Sequence, residues 1–357
     1  MISEVLSNSS QLVLRNAESL HCKRLLMVGM PADGLAATLL ADDRVSELQG
    51  LTRDFSVFRT LKSAWADAGD RQHLCFGSVL EGIQKTSYDG VLIFLQKSKP
   101  LMDFWLDMAL SVLDSSGCIW LVGENKEGIK SWRKRLKHYF GDVRSLDSAR
   151  HCGLLEGSQP VKSVDNFNRQ DYFQGYAVQL ADKTIKVSTL PGVFSHGRLD
   201  RGTDVLLDTF KGIAKKNRVL DFGCGAGVVA TALASVFPEA DFTLIDCDAL
   251  ALESSRKTLQ DNGVGQFKVL ASDGLSEVTG QFDLIVSNPP FHQGVKTHYE
   301  VTEQFLVESR RHLTVGGELR IVANSFLRYQ PIIKKAFGHC ETLVTRDGFS
   351  VYSARRC

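Results

Sequence analysis

RVLDFGCGAGVVATAL, residues Arg218 to Leu233, runs from a short apolar stretch through a turn with three glycines into a small-residue helix. A buried strand, a glycine turn and a helix form the opening unit of an α/β sheet, because glycine lets the backbone reverse sharply with no Cβ in the way. Beyond it, FTLIDCD, ALALESSRKTLQDNG, KVLASD, FDLIVSN, VTEQFLVESRRHL and ELRIVAN continue as strands and helices in turn. This alternation predicts a mostly parallel sheet with helices on both faces. CETLVTRDG and FSVYSARR then read as a closing antiparallel hairpin turned by Asp347-Gly348.

Toward the N-terminus the same unit is written once more. RLLMVGMPADGLAATL, Arg24 to Leu39, lies 194 positions before the opening stretch, and the same shift carries Tyr88–Ile93 onto Phe282–Ser287. SVLDSSGCIWLVGEN, Ser111 to Asn125, matches RHLTVGGELRIVANS, Arg311 to Ser325, at a shift of 200, so the second copy holds about six extra residues between these landmarks. Ligands of α/β proteins bind at the carboxyl ends of parallel strands, so an insertion there is expected to be substrate machinery. The 357 residues exceed what one core usually holds. They divide into α/β domains at 1–160 and 186–357, joined by a polar linker and the start of a hairpin over 161–185, the hairpin running from Gly175 to Gly192.

Composition removes several function classes. Forty-two Lys and Arg against 41 Asp and Glu leave a net charge of +1, which excludes a histone-like or tail-driven nucleic-acid binder and restricts any such contact to local patches. One candidate patch is GIKSWRKRLKHYF, Gly128 to Phe140, which places Lys130, Arg133, Lys134, Arg135, Lys137 and His138 on an expected helix with Trp132 and Tyr139 between them. It reads equally as a solvated helix face or as a contact for an RNA backbone. The eight cysteines form no C-x-x-C pair and the histidines no cluster, so neither a metal centre nor a disulfide framework is expected. The first twenty residues lack the basic start and apolar core of a signal peptide, and the longest apolar run, Val228 to Phe237, is too short for a bilayer; a cytoplasmic, reducing location is expected.

The chemistry gathers in the second copy. Gly223, Gly225 and Gly227 shape the turn, but the third glycine of the dinucleotide fingerprint G-x-G-x-x-G would fall at 228, where Val228 stands, and Asp221 would set a carboxylate beside a pyrophosphate. Both features disfavour NAD and favour a cationic ligand. S-adenosylmethionine, with a sulfonium, an ammonium and no phosphate, meets that demand. Asp246 closes the next strand, where a carboxylate can accept two ribose hydroxyls, and Asp273 follows a third strand, in place for the adenine. Each aspartate alone reads equally as a turn or helix cap.

Asn288-Pro289-Pro290-Phe291 follows the buried strand FDLIVS. Two prolines stiffen the turn and remove two N–H donors, leaving the Asn side-chain oxygen and a proline carbonyl as acceptors. That surface suits a planar amine donating two N–H bonds, whose nitrogen becomes nucleophilic as it pyramidalises in the transition state. Phe291 can stack on the ring that carries the amine. The tetrapeptide by itself serves guanine N2, adenine N6 in DNA or RNA, or a protein glutamine amide alike. His292 and the stretch 294–299 are candidates for substrate contact or local packing, and Phe194 and Asp200 either line the ligand site or belong to a domain-entry loop.

VLDFGCGAGVVATA, LIDCDALALESSR, FDLIVSNPPFHQG, GGELRIVANSFL and LPGVFSHGRLDRG, with VGENKEGIKS and SARHCGL in the first half, together resemble the bacterial small-subunit ribosomal RNA guanine-N2 methyltransferases, the family named for guanine 1207 of 16S rRNA. The resemblance covers most of the chain. It implies two tandem class I (Rossmann-like) S-adenosylmethionine-dependent methyltransferase domains, the N-terminal copy degenerate and aiding folding or RNA engagement. It also implies methylation of a guanine exocyclic amine in 16S rRNA within the 30S subunit, by a protein expected to be a monomer. The large-subunit family named for guanine 1835 of 23S rRNA shares the duplication and NPPFH, with Gln293 after it, while the first-half and LPGVFS stretches look more like the small-subunit family. A non-catalytic ribosome-assembly factor that retains the cofactor site is the alternative outside enzymes. Within the first copy, Met27 stands where Asp221 does, Pro31 where Gly225 does, and Phe94-Leu95-Gln96-Lys97 where the tetrapeptide does, so this half is expected to bind neither donor nor target amine.

Overall fold

The computed structural model describes residues 5–41, 45–66, 69–81, 87–180, 183–193, 199–289 and 296–357, the side chains of 296–299 excepted. Pro290, Phe291, His292, Gln293 and Phe194 lie outside the described residues. Two compact units divide the chain, Met1–Tyr172 and Phe173–Cys357. The stretch 161–185, read from sequence as a connector, is shared between them. Its first part folds onto the first unit, where Phe167 and Tyr172 pack on Phe104 and the Tyr172 hydroxyl donates to Asp107 at 2.8 Å. Aromatic burial, invisible in a polar-looking segment, fixes it there.

The first unit runs α1 (Asn8–Arg15), β1 (Arg24–Val28), α2 (Leu35–Ala41), β2 (Glu47–Thr52), α3 (Phe55–Ala64), β3 (Gln72–Phe76), β4 (Tyr88–Phe94), α4 (Lys99–Val112), β5 (Leu113–Glu124), α5 (Ile129–Leu136), β6 (Phe140–Ala149) and β7 (Cys152–Pro160). The second opens with a hairpin, β8 (Gln174–Leu180) and β9 (Lys183–Thr189), then α6 (Arg201–Asp208), β10 (Arg218–Phe222), α7 (Val228–Val236), β11 (Asp241–Asp246), α8 (Ala249–Asp261), β12 (Phe267–Ala271), β13 (Phe282–Ser287), α9 (Lys296–Glu308), β14 (Leu313–Asn324), α10 (Tyr329–Phe337), β15 (Glu341–Arg346) and β16 (Phe349–Arg355).

Each unit holds a seven-stranded sheet, ordered β3-β2-β1-β4-β5-β7-β6 in the first and β12-β11-β10-β13-β14-β16-β15 in the second. Five strands are parallel, and the last two pairings are antiparallel, so β7 and β16 alone run against the rest of their sheets. Parallel strands buried on both faces need continuous apolar runs, and Leu220, Leu244, Leu284, Ile285 and Val286 are fully buried. The sequence repeat is also a repeat of register. Met27 pairs with Gly50 and Leu92, and Asp221 pairs with Leu244 and Val286, each partner shifted by the same 194. Leu92 faces Trp120 whereas Val286 faces Arg320, so the six added residues fall between β13 and β14, past the carboxyl end of β13.

The closing hairpin turns at Asp347 and Gly348, both left-handed with φ of 55° and 81°, the backbone that two-residue hairpin loops favour. The basic stretch departs from expectation. Helix α5 ends at Leu136, because Trp132 and Tyr139 are both buried and the chain must turn at 137–139 to start β6.

Candidate active site

The site stands at the carboxyl ends of β10, β11 and β13. Register sets the level: Phe222 pairs with Ile245 and Ser287, so Gly223, Asp246 and Asn288 lie one step past that row, at one level on three neighbouring strands. Asp273 follows β12, two positions past Ala271, which pairs with Asp246. The four strands thereby bring every described member of the expected set to one edge.

The glycine turn is bound from below. Gly223 and Cys224 donate their N–H groups to the Ile245 carbonyl at 2.9 and 3.0 Å, and Gly225 donates to the Asp246 carboxylate at 3.0 Å. Gly223 and Gly225 are left-handed, with φ of 68° and 53°, and a Cβ on either would meet no described residue within 4 Å. Open space above a bare backbone is what a ligand lying along the turn requires. Gly227 does something else. Its missing Cβ would come within 3.0 Å of Ser255 and 2.8 Å of Leu259, so this glycine lets α7 approach α8.

The two inner carboxylates are placed differently. Asp221, 2% exposed, accepts the Ala230 N–H at 3.2 Å and so ties the first turn of α7 to its own strand. Burial pushes its carboxyl up to about 7, with Asp246 adding to the rise and the Ala230 N–H opposing it. Asp246 accepts from Gly225 on one oxygen and from Asp248 N–H at 3.0 Å on the other. Burial pushes it up to about 6, the Asp248 charge raising it further while backbone N–H groups pull it down. Both oxygens of Asp246 keep further lone pairs for a ligand's hydroxyls. A buried carboxyl and a half-buried one, both under strain to ionise beside an open glycine turn, fit a cationic ligand that carries a ribose, as S-adenosylmethionine does.

Asn288 lies beside the turn. Its Nδ2 donates to Asp200 Oδ2 at 2.8 Å and to the Thr203 hydroxyl at 2.9 Å, while its Oδ1 is buried with no hydrogen-bond partner among the described residues. A buried amide oxygen left unpaired costs about 1–3 kcal/mol, a cost that a donor group on a bound ligand would remove. Strand β13 is locked below it by Ser287 Oγ, which donates to the Phe222 carbonyl at 2.8 Å. Asp200, which the sequence left between a ligand contact and an entry loop, reaches the site through Asn288. Thr203 was missed; the signal available was the D-x-x-T start of α6, where Asp200 caps the helix by accepting the Thr203 N–H at 3.1 Å.

In the first unit the corresponding positions are closed. Gly29 keeps the left-handed turn at φ 69°, yet a Cβ there would meet the Trp105 ring at 2.9 Å. Trp105, 1% exposed, fills the room above the turn and donates its indole N–H to the Ser78 carbonyl at 3.4 Å. At the shift of 200 its counterpart is Phe305, which instead stacks on Phe222 with ring centroids 3.7 Å apart and leaves Gly223 open. The strand registers match Met27, Thr52 and Ser78 to Asp221, Asp246 and Asp273, so all three carboxylates are absent from the first copy.

Comparison with known proteins bears on both halves. The family described as methyltransferase small domain matches residues 184–353, and that described as methyltransferase small domain N-terminal matches residues 10–176. Ribosomal RNA small subunit methyltransferase C of Aliivibrio fischeri is 40% identical over 352 residues, covering 98% of this chain and 99% of that protein. The proteins of the same name from Pseudoalteromonas translucida and Ectopseudomonas mendocina are 38% and 41% identical, over 98% and 97% of this chain and 99% of each relative. Among solved structures, the 16S rRNA N2 guanine-1207 methyltransferase of T. thermophilus, in complex with AdoMet and guanosine, superposes with a TM-score of 0.83 at 22% identity, covering 99% of this chain and 93% of that one. It shares the fold, both copies included. At such identity over nearly its whole length, the chain belongs to the ribosomal RNA small subunit methyltransferase C family.

Proposed function

We propose that this protein transfers a methyl group from S-adenosylmethionine to the exocyclic N2 amine of a guanine in 16S rRNA, acting as a monomer on the 30S subunit in the cytoplasm. The observation that carries the reading is the buried Oδ1 of Asn288, unpartnered among the described residues, at the level of Gly223 and Asp246, in a chain of this family. When bound, S-adenosylmethionine supplies an electrophilic methyl group on a sulfonium. Gly223 and Gly225 admit it along the turn, Asp246 receives its ribose hydroxyls, Asp273 faces its adenine, and Asp221 provides negative charge from beneath.

Asn288 Oδ1 accepts an N–H of the target amine and fixes the direction of its lone pair. A planar guanine amine is a weak nucleophile because that lone pair is delocalised into the ring. As the nitrogen pyramidalises and gains positive character its N–H groups become stronger donors, so the bond to Asn288 strengthens in the transition state. Pro289 withholds a competing backbone donor beside that acceptor. The methylated amine then loses a proton to water with no dedicated base. A guanine paired in the folded RNA must be turned out first, at a cost of about a few kcal/mol.

The test is transfer of tritiated methyl groups to 30S subunits, 50S subunits, naked 16S rRNA and DNA in parallel, followed by nucleoside mapping. Label is expected as N2-methylguanosine in 16S rRNA. Label confined to N6-methyladenosine or to 23S rRNA would overturn the reading.

A further inference from the structure

We propose that Asp200 and Thr203, at the start of α6, are positioning residues that hold the Asn288 carboxamide with its oxygen toward the target amine. This rests on the reading of Asn288 as the acceptor for that amine and adds how the acceptor is oriented and strengthened.

A carboxamide has a donor end and an acceptor end of nearly equal size, and if it turns over it presents N–H groups to a substrate that itself donates N–H. The site would then repel the base it must hold. Sequence alone does not forbid the turned form, since Asn288 brings both ends. Asp200 forbids it, because an ionised carboxylate only accepts. Its Oδ2 lies 2.8 Å from Nδ2, and the Thr203 hydroxyl, 2.9 Å away, takes the second Nδ2 hydrogen. Turning the amide would set Oδ1 against Asp200 and leave a buried donor facing the site.

The carboxylate also strengthens what it orients. Drawing the Nδ2 hydrogens toward a negative charge shifts amide electron density onto Oδ1 and makes it a better acceptor, the cooperative effect of hydrogen bonds in series. Asp200 is held in turn by the Thr203 N–H, so a short motif on one helix start carries both the cap and the clamp.

Three variants separate clamp from cap. Asp200→Asn and Asp200→Ser both preserve a good N-cap, but asparagine no longer dictates which end of Asn288 faces the site and serine is too short to reach it. Thr203→Val keeps the shape and removes the hydroxyl. Asn288→Ala serves as the reference. On 30S subunits, Asp200→Asn and Asp200→Ser are expected to lower kcat by roughly 10- to 100-fold, the range of a hydrogen bond to a charged group. Thr203→Val should lose several-fold. S-adenosylmethionine affinity by calorimetry should stay within error of the parent protein, and the thermal midpoint should fall by no more than the few degrees that one lost hydrogen bond costs. By NMR the Asn288 side-chain amide protons should be slow to exchange in the parent protein and should broaden or exchange faster in Asp200→Asn. Full turnover by both Asp200 variants, with Asn288→Ala inactive, would overturn the clamp alone. Full turnover by Asn288→Ala would remove the acceptor reading and the clamp with it.

Discussion

Asp221 and Asp246 are held in the folded protein with carboxyl groups that prefer the proton, at about 7 and about 6 against an ordinary value of 3.8. The folded state therefore binds protons that the unfolded chain releases. Their contribution to stability is complete below about pH 4 and is lost as pH rises through 6 and then 7. A cationic ligand reverses the balance, since it gains from the ionised forms. The affinity for S-adenosylmethionine should rise from pH 5.5 to about 7.5 and then level off, with protons released on binding. Calorimetry across that range, in buffers of different ionisation enthalpy, reads both; a flat affinity would contradict it. Asp221→Asn should raise the thermal midpoint at pH 8 while weakening binding by about tenfold. The three aspartates were visible in the sequence as strand-end residues, but their division of labour was not. Only burial and the Ala230 N–H show that Asp221 works from beneath the turn.

The glycine turn behaves as one element whose residues answer to different neighbours. Gly223→Ala pays mainly for a left-handed backbone, about 1–2 kcal/mol, and the added methyl stands in the open space reserved for ligand. Gly227→Ala pays that and also strikes Ser255 and Leu259, so about 2–4 kcal/mol is expected. Thermal melts should thus single out Gly227→Ala, and cofactor titration Gly223→Ala; equal melts for the two would refute the distinction. Spacing alone identified the turn and could not tell a packing glycine from a ligand glycine, because α8 is contributed by residues some thirty positions on. Helix α5 gives a parallel case. Of its basic set, Arg135 is committed to Asp103, while Lys130, Arg133, Lys134, Lys137 and His138 are exposed. Changing Lys130, Arg133, Lys134 and Lys137 to Ala should weaken binding to 16S rRNA and lower its salt slope, whereas Arg135→Ala should chiefly destabilise the fold. An unchanged slope in filter binding from 50 to 200 mM salt would assign the face to solvent.

Across the whole chain, one sheet order serves two purposes. Both copies keep the apolar strands, the order of seven and the register, since these bury the core and tolerate little drift. The edge where chemistry occurs is under no such demand, and there the first copy has become a packed interior, with Trp105 over Gly29 and Leu95 buried where Pro289 stands. The repeat offset and the fold were legible from periodicity because both follow from burial, while the filling of the first site was not, since Trp105 is 76 positions from the turn it covers. Closure has a countable consequence. A turn whose open face is occupied by an indole, matched to Met27, Thr52 and Ser78 in place of three carboxylates, has neither the room nor the charge to hold a cation. The full-length protein should bind one S-adenosylmethionine per chain, and Asp246→Asn with Gly223→Ala should abolish all measurable binding. Isothermal titration giving a stoichiometry near two, or a residual site in that double variant, would show that the first copy still receives the donor.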